Sequence, residues 1–246
     1  MCEEKLSGGR VTASVVKVGD TVHRTPCANS AFVRRALGYL SGKGADFAPR
    51  YLGADEQGRE VFSFMPGQVP DNIGEFTDEQ CCAAACMIAR LHLLACDMPG
   101  CTSRQTLCHG DLSPCNFTFE RGMPRGIIDW DAAAIGEPIV DLAYAIWMWL
   151  DIGNDELDAH HVSRRMGLMM GAYEGELARA RRIDSALALS ESDISRESLL
   201  EAMLSEMARV GSSIFPTEEQ TRATSAWAHG CARWCGENAG ELLAGI

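Results

Sequence analysis

In "RVTASVVKVGDTVHR" the β-branched residues fall into two short runs on either side of Gly19-Asp20. That pattern predicts a hairpin, because glycine supplies the positive φ of a tight turn. With those two residues as the loop, Val18 faces Thr21, Lys17 faces Val22 and Val15 faces Arg24. Directly opposed residues share a face, so Val15, Val22 and Arg24 line one side. An apolar patch ending in a cation suits a flat ring joined to an anion. Helical spacing follows in "NSAFVRRALGYLSGKG", with Asn29 or Ser30 as cap and Gly42 or Gly44 as stop. "APRYLGADEQGREVFSFMPG" returns to strands, two of them about an Asp-Glu-Gln-Gly turn, ending at Pro66-Gly67.

The rhythm changes from Thr77. "TDEQCCAAACMIARLHLLACDMPG" opens with Thr77 and Gln80 at capping-box spacing, and Asp78 and Glu79 favour a helix N-terminus. Between 107 and 131 short apolar runs alternate with turns, among them "CNFTF" and "GIIDW". After Asp141 nearly everything reads as helix: "DLAYAIWMWL", a long segment from about 155 to 182, another near 196–210, and a last one from Pro216. The pattern predicts an α+β chain, with a small β-rich part over 1–66 and a larger, mainly helical part over 67–246. Trp147, Trp149, Met166, Met169 and Met170 lie at helical spacing and read as core or pocket lining. His160-His161 reads as solvated helix surface.

Composition adds constraints. Hydrophobic residues make up 46% and charged residues 23% of the 246, which is ordinary for a folded globular protein. No apolar run approaches the ~20 residues of a membrane helix, and "MCEEKLSGGR" lacks a secretory pattern, so a cytoplasmic protein is expected. Its 11 cysteines are then reduced thiols. Cys81, Cys82 and Cys86 act as small hydrophobes, and the spacings give no zinc site. Residues 1–50 hold 8 Lys+Arg against 4 Asp+Glu, whereas the rest holds 14 against 30. That split excludes nucleic acid as a partner. It suits an anionic ligand at the front and a cationic one at the rear.

Chemistry concentrates in "HGDLSPCN" and "GIIDWDAAAIGEP". Asp111 and Asn116 share a loop, and Asp129 emerges from an apolar run after a stretch long enough for a hairpin. Asn116 and Asp129 offer oxygen ligands to Mg²⁺, a hard ion that prefers carboxylate, amide and phosphate oxygens. Asp111 is left to orient a hydroxyl and accept its proton.

These residues, with "GEPIVDLA", "RLH", "LSGG" and "FSFMPG", resemble the aminoglycoside phosphotransferase and choline kinase group, relatives of protein kinases. The resemblance spans roughly residues 6–150 and fades in the helical tail. It implies a two-lobed protein-kinase-like fold and transfer of the ATP γ-phosphoryl group to a hydroxyl. By that resemblance Asp111 is the catalytic base, and Asn116 and Asp129 are the magnesium ligands. His109 props the loop and Asp141 is a helix-start aspartate of architectural role; Asp131 either helps shape the metal site or caps the following turn, the second being favoured. Ser7, Gly8 and Gly9 fall in the phosphate-covering loop, and Ser63, Phe64 and Met65 form the hinge that meets adenine.

Two departures stand out. Arg24 occupies the place of the usual phosphate-holding lysine, and the helix near 30–41 contains no acid to orient that cation. The expected activity is Mg-ATP-dependent phosphorylation of a small, cationic hydroxyl compound, such as an aminoglycoside-like antibiotic or an amino alcohol. The acceptor's cation would meet Glu174, Glu176, Glu191 or Asp193, and the protein is expected as a monomer or homodimer. The alternative is a kinase-like binding or immunity protein without turnover.

Overall fold

One antiparallel sheet is built from β1 (Glu3–Lys5), β2 (Val15–Val18), β3 (Thr21–Arg24), β4 (Tyr51–Ala54) and β5 (Glu60–Ser63), in the order β1-β2-β3-β5-β4. The computed structural model describes residues 3–5, 15–71, 73, 75–183 and 194–244. The β2–β3 register is the expected one, with Val15 opposite Arg24 and Val18 opposite Thr21 about a Gly19 of φ 59°. Strand β1 was not foreseen. Its three residues are all exposed, so they carry no alternation, and pairing with β2 alone makes them a strand. Ser7, Gly8 and Gly9 lie outside the described residues, as do Glu191 and Asp193.

Helix α1 (Ser30–Gly42) buries Val33, Ala36, Leu37 and Leu40, the one-face spacing of an amphipathic helix. Asn29 occupies the cap position, yet its side chain does not cap. It donates instead to the carbonyls of Asp131 and Ala133, both at 2.9 Å, and so ties the start of α1 to a loop a hundred residues on.

Between the sheet and the helices, Gly67 adopts a φ of 127°, and Gln68 and Phe119 exchange both backbone hydrogen bonds. A Cβ at Gly67 would lie 2.7 Å from the Phe119 carbonyl oxygen, so only glycine fits this junction. The second helix, α2 (Asp78–Ala95), starts with the predicted capping box. Thr77 Oγ1 accepts from Gln80 N, and Gln80 Oε1 accepts from Thr77 N. Small buried residues on α2, Cys81, Ala84 and Ala85, bring it close to α4 (Ala159–Ile183).

Two small antiparallel pairs carry the site loops: β6 (Thr106–Cys108) with β9 (Ala134–Gly136), and β7 (Phe117–Glu120) with β8 (Met123–Ile127). Around them pack α3 (Pro138–Trp149), α5 (Arg196–Gly211), α6 (Glu218–Glu237) and α7 (Ala239–Ala244). Trp130, Trp147, Trp149 and Tyr173 are fully buried, as are Met166 and Met169. Trp149 spends its indole N–H on the Leu112 carbonyl, so the core reaches directly to the loop carrying Asp111. His160 and His161 are exposed, and the ten described cysteines are unpaired. Among the described residues no helix is long and apolar enough to cross a membrane.

Candidate active site

Asp111 follows β6 through His109 and Gly110. Gly110 has a φ of 79°, and a Cβ there would lie 2.5 Å from the Ala132 carbonyl oxygen, so this glycine lets two loops touch. Both loop amides end on one buried carboxylate: His109 N and Gly110 N donate to Asp141 at 2.6 and 2.8 Å. His92 of α2 donates to the same group at 3.2 Å and accepts from the Tyr173 hydroxyl at 2.7 Å. Burial opposes the Asp141 charge, but the His92 bond, the nearby histidines and the Gly110 amide outweigh it and hold the carboxyl below its usual range. The architectural role expected of Asp141 is its observed one.

The His109 ring joins the two halves of the site. Its Nε2 donates to the Ile128 carbonyl at 3.0 Å, which leaves Nδ1 to accept from Asp111 N at 3.3 Å. The Trp130 ring packs edge-on against it at 4.7 Å. Ile128 N donates to the Asn116 carbonyl at 2.8 Å, and Asn116 Nδ2 donates to the Asp111 carbonyl at 2.9 Å. A closed circuit of hydrogen bonds thus draws residues 109–111, 116 and 128 together, with Asp129 next in chain. With its amide nitrogen committed, Asn116 keeps its side-chain oxygen for a ligand.

Asp129 adopts left-handed backbone angles (φ 61°, ψ 69°), a conformation that costs a non-glycine residue about 1–3 kcal/mol and collects at functional sites. Burial raises its carboxyl above the usual range, and the charges of Asp131 and Asp111 raise it further, while His109 and Arg24 pull it down. Crowded acids beside an uncommitted amide oxygen are the donor set of a hard divalent cation, so the residues present fit Mg²⁺.

Arg24 reaches this cluster from β3. One of its guanidinium nitrogens lies 2.5 Å from Asp131 Oδ1, and its Nε lies 3.7 Å from Glu60 Oε2. Neither contact is a directed hydrogen bond: the Glu60 contact is too long, and Arg24 Nε and Asp131 Oδ1 are both buried without one. Asp131 therefore pairs with Arg24 and caps no turn, contrary to expectation. The acid absent from α1 is replaced by Glu60, register partner of Arg24 on β5. Ser30 Oγ donates to Glu60 at 2.8 Å, and Arg34 pairs with it at 3.3 Å.

At the hinge, Ser63 N donates to Arg50 O and Phe64 N donates to Asp20 O, both at 2.9 Å. Met65 N is the one hinge amide without a backbone acceptor among the described residues. Lys17 Nζ lies 4.0 Å above the Phe64 ring.

Sequence reasoning missed Tyr144, Glu206 and Arg209. Tyr144 of α3 donates to Asp111 Oδ1 at 2.8 Å, and burial, the Asp111 charge and this bond push its hydroxyl well above the usual range. The Arg209 guanidinium lies 6.0 Å from the Tyr144 ring and pairs with buried Glu206 at 2.7 Å. The only sequence signal was the polar tip of a tyrosine in an apolar helix, which needs a partner when buried. Glu176 is engaged by Arg90 and Arg179, and Glu174 is exposed on α4. His92, Cys108 and Asp141 come within 4.8 Å of one another. Burial pushes the Cys108 thiol far up, its Sγ donates to the Glu137 carbonyl, and the Asp141 oxygens are taken, so these groups are already committed.

Residues 93–175 match the phosphotransferase enzyme family. Over 177 residues the chain is 29% identical to the trifolitoxin immunity protein of Rhizobium leguminosarum bv. trifolii, a match covering 65% of this chain and 65% of that relative, which is under two thirds of its length. Among solved structures, the choline kinase from Cryptosporidium parvum Iowa II superposes with a TM-score of 0.65 at 13% identity, over 98% of this chain and 91% of the other. The microcompartment-associated aminopropanol kinase gives 0.62 at 14%, over 98% and 94%. The gentamicin-APH(2")-IIa complex gives 0.54 at 12%, over 99% and 91%. At such identities the likeness is one of fold, and it confirms the two-lobed α+β architecture expected. The stretch holding Asp111, Asn116 and Asp129 therefore lies within the match to the phosphotransferase enzyme family, in a fold shared with choline and aminopropanol kinases.

Proposed function

We propose that the protein transfers the γ-phosphoryl group of ATP to a hydroxyl of a small molecule. The observation that carries this reading is the hydrogen-bond circuit that holds Asp111, Asn116 and the Asp129 strand end together. Tyr144 occupies Oδ1 of Asp111, which leaves Oδ2 to align the acceptor hydroxyl. As the hydroxyl oxygen bonds to phosphorus and the bond to ADP breaks, its proton passes to that Oδ2. Asn116 and Asp129 would hold Mg²⁺, which neutralises phosphate charge when bound. Arg24 supplies the protein's own cation for the phosphates, and Met65 N–H the hinge contact to the base. Residues 1–66 form the nucleotide side and 67–246 the catalytic and acceptor side.

An ATP-consumption screen across amino sugars, macrolides, choline-like alcohols and sugars tests the reading. With the acceptor found, Asp111→Asn loses transfer and keeps ATP binding. Full turnover in that variant refutes the assignment.

The likeness to an immunity protein favours a second reading, in which the fold protects by binding alone. A ligand raises stability by RT ln(1 + [L]/Kd). A melting temperature unmoved by millimolar ATP and magnesium would select this second reading.

A further inference from the structure

Glu60 and Asp131 hold Arg24 in unequal ways. Glu60 is 1% exposed, fixed by Ser30 and Arg34, and cannot leave its position on β5. The Asp131 side chain is 29% exposed, and the Asp131 and Ala133 carbonyls that flank it are anchored by Asn29. The backbone is pinned while the carboxylate is free to turn. Arg24 is nine-tenths buried with an Nε that lacks a directed bond, and Asp131 Oδ1 lacks one despite its 2.5 Å approach. A buried polar atom left without a hydrogen bond in a native structure calls for an explanation, such as strain or a functional role.

We propose that Asp131 occupies the phosphate position at Arg24 and makes nucleotide binding depend on the metal. The inference rests on the phosphotransferase reading and extends it to what selects the metal-complexed nucleotide. Polyphosphate alone must expel the Asp131 carboxylate from Arg24 into a pocket already holding Asp129 and Asp111. A divalent cation beside Asp129 offers the expelled carboxylate a countercharge, so metal and phosphate bind together. Glu60 stays as the pivot that keeps the guanidinium aimed.

The test is calorimetric titration of the full chain with inorganic triphosphate in EDTA, and with ATP with and without Mg²⁺. Asp131→Asn is expected to bind metal-free triphosphate at least fivefold tighter than wild type. The factor by which Mg²⁺ improves ATP affinity shrinks correspondingly. The gain vanishes in the double variant with Arg24→Gln. Metal-free affinity equal to or weaker than wild type overturns the inference, as does a gain that persists without Arg24, which would reflect net charge alone. Asp131 is partly exposed, so its variant should fold. A wild type that binds neither triphosphate nor Mg-ATP overturns the phosphotransferase reading and this inference together. A wild type that binds both, with the variant no tighter, overturns the inference alone.

Discussion

Replacing Asp141 by asparagine tests whether one carboxylate organises the loop that carries Asp111. Asp141 is 1% exposed and accepts three hydrogen bonds, at 2.6 Å from His109 N, 2.8 Å from Gly110 N and 3.2 Å from His92. Asparagine can turn its oxygen toward His109 and His92, but its NH₂ group then faces the Gly110 N–H, donor against donor. An unsatisfied buried donor costs about 1–3 kcal/mol, and bonds to a neutral acceptor are weaker than bonds to a charged one by about 1 kcal/mol each. The sum is roughly 3–5 kcal/mol. For a chain of this size about 2–4 °C of melting temperature goes with each kcal/mol, so scanning calorimetry should show a fall of roughly 6–20 °C at neutral pH. The sign with pH is also set. The folded Asp141 carboxyl lies below its unfolded value of about 3.9. Its contribution is therefore full above that value and is lost as pH falls through the folded one. The gap between wild type and variant must narrow in acid below about pH 4. A fall under 3 °C, or a gap that widens in acid, would refute the role given to Asp141.

Tyr144→Phe removes the donor to Asp111 Oδ1, a charge-assisted bond of about 1.5 kcal/mol; kcat should drop roughly tenfold with the KM for ATP unchanged, as steady-state kinetics would show. Gly110→Ala places a Cβ 2.5 Å from the Ala132 carbonyl oxygen at a left-handed φ. The expected result is a loss of transfer larger than the loss of thermal stability, with both measured on the same preparation. Trp149→Ala empties a fully buried site and frees the Leu112 carbonyl, at a cost of about 3–5 kcal/mol in urea unfolding. Thr77→Ala deletes half of the capping box and should cost about 1 kcal/mol without changing kinetics.

Local physics was legible along the chain. The hairpin about Gly19 and its register, the capping box at Thr77, and the amphipathic α1 each follow from residues within a few positions of one another. So does the hairpin that lets Asp129 return to the Asp111 loop. That residues 111, 116 and 129 could be brought together was legible because the motif spacing is short, and oxygen chemistry restricts which residue types come into question. Partners distant in sequence were not readable. Glu60 as the acid beside Arg24, Asp131 as its second partner, Asn29 spent on a distant loop and Tyr144 on Asp111 all arise from side chains brought together by packing. No periodicity records which of 34 acids will face a given arginine. That choice is made when α1, β5 and the loop after β8 close on one another. The sequence by itself therefore determined the elements and the reactive groups, because both depend on neighbouring residues. The tertiary structure alone decided the pairings, because electrostatic and hydrogen-bond partners are selected by distance in space.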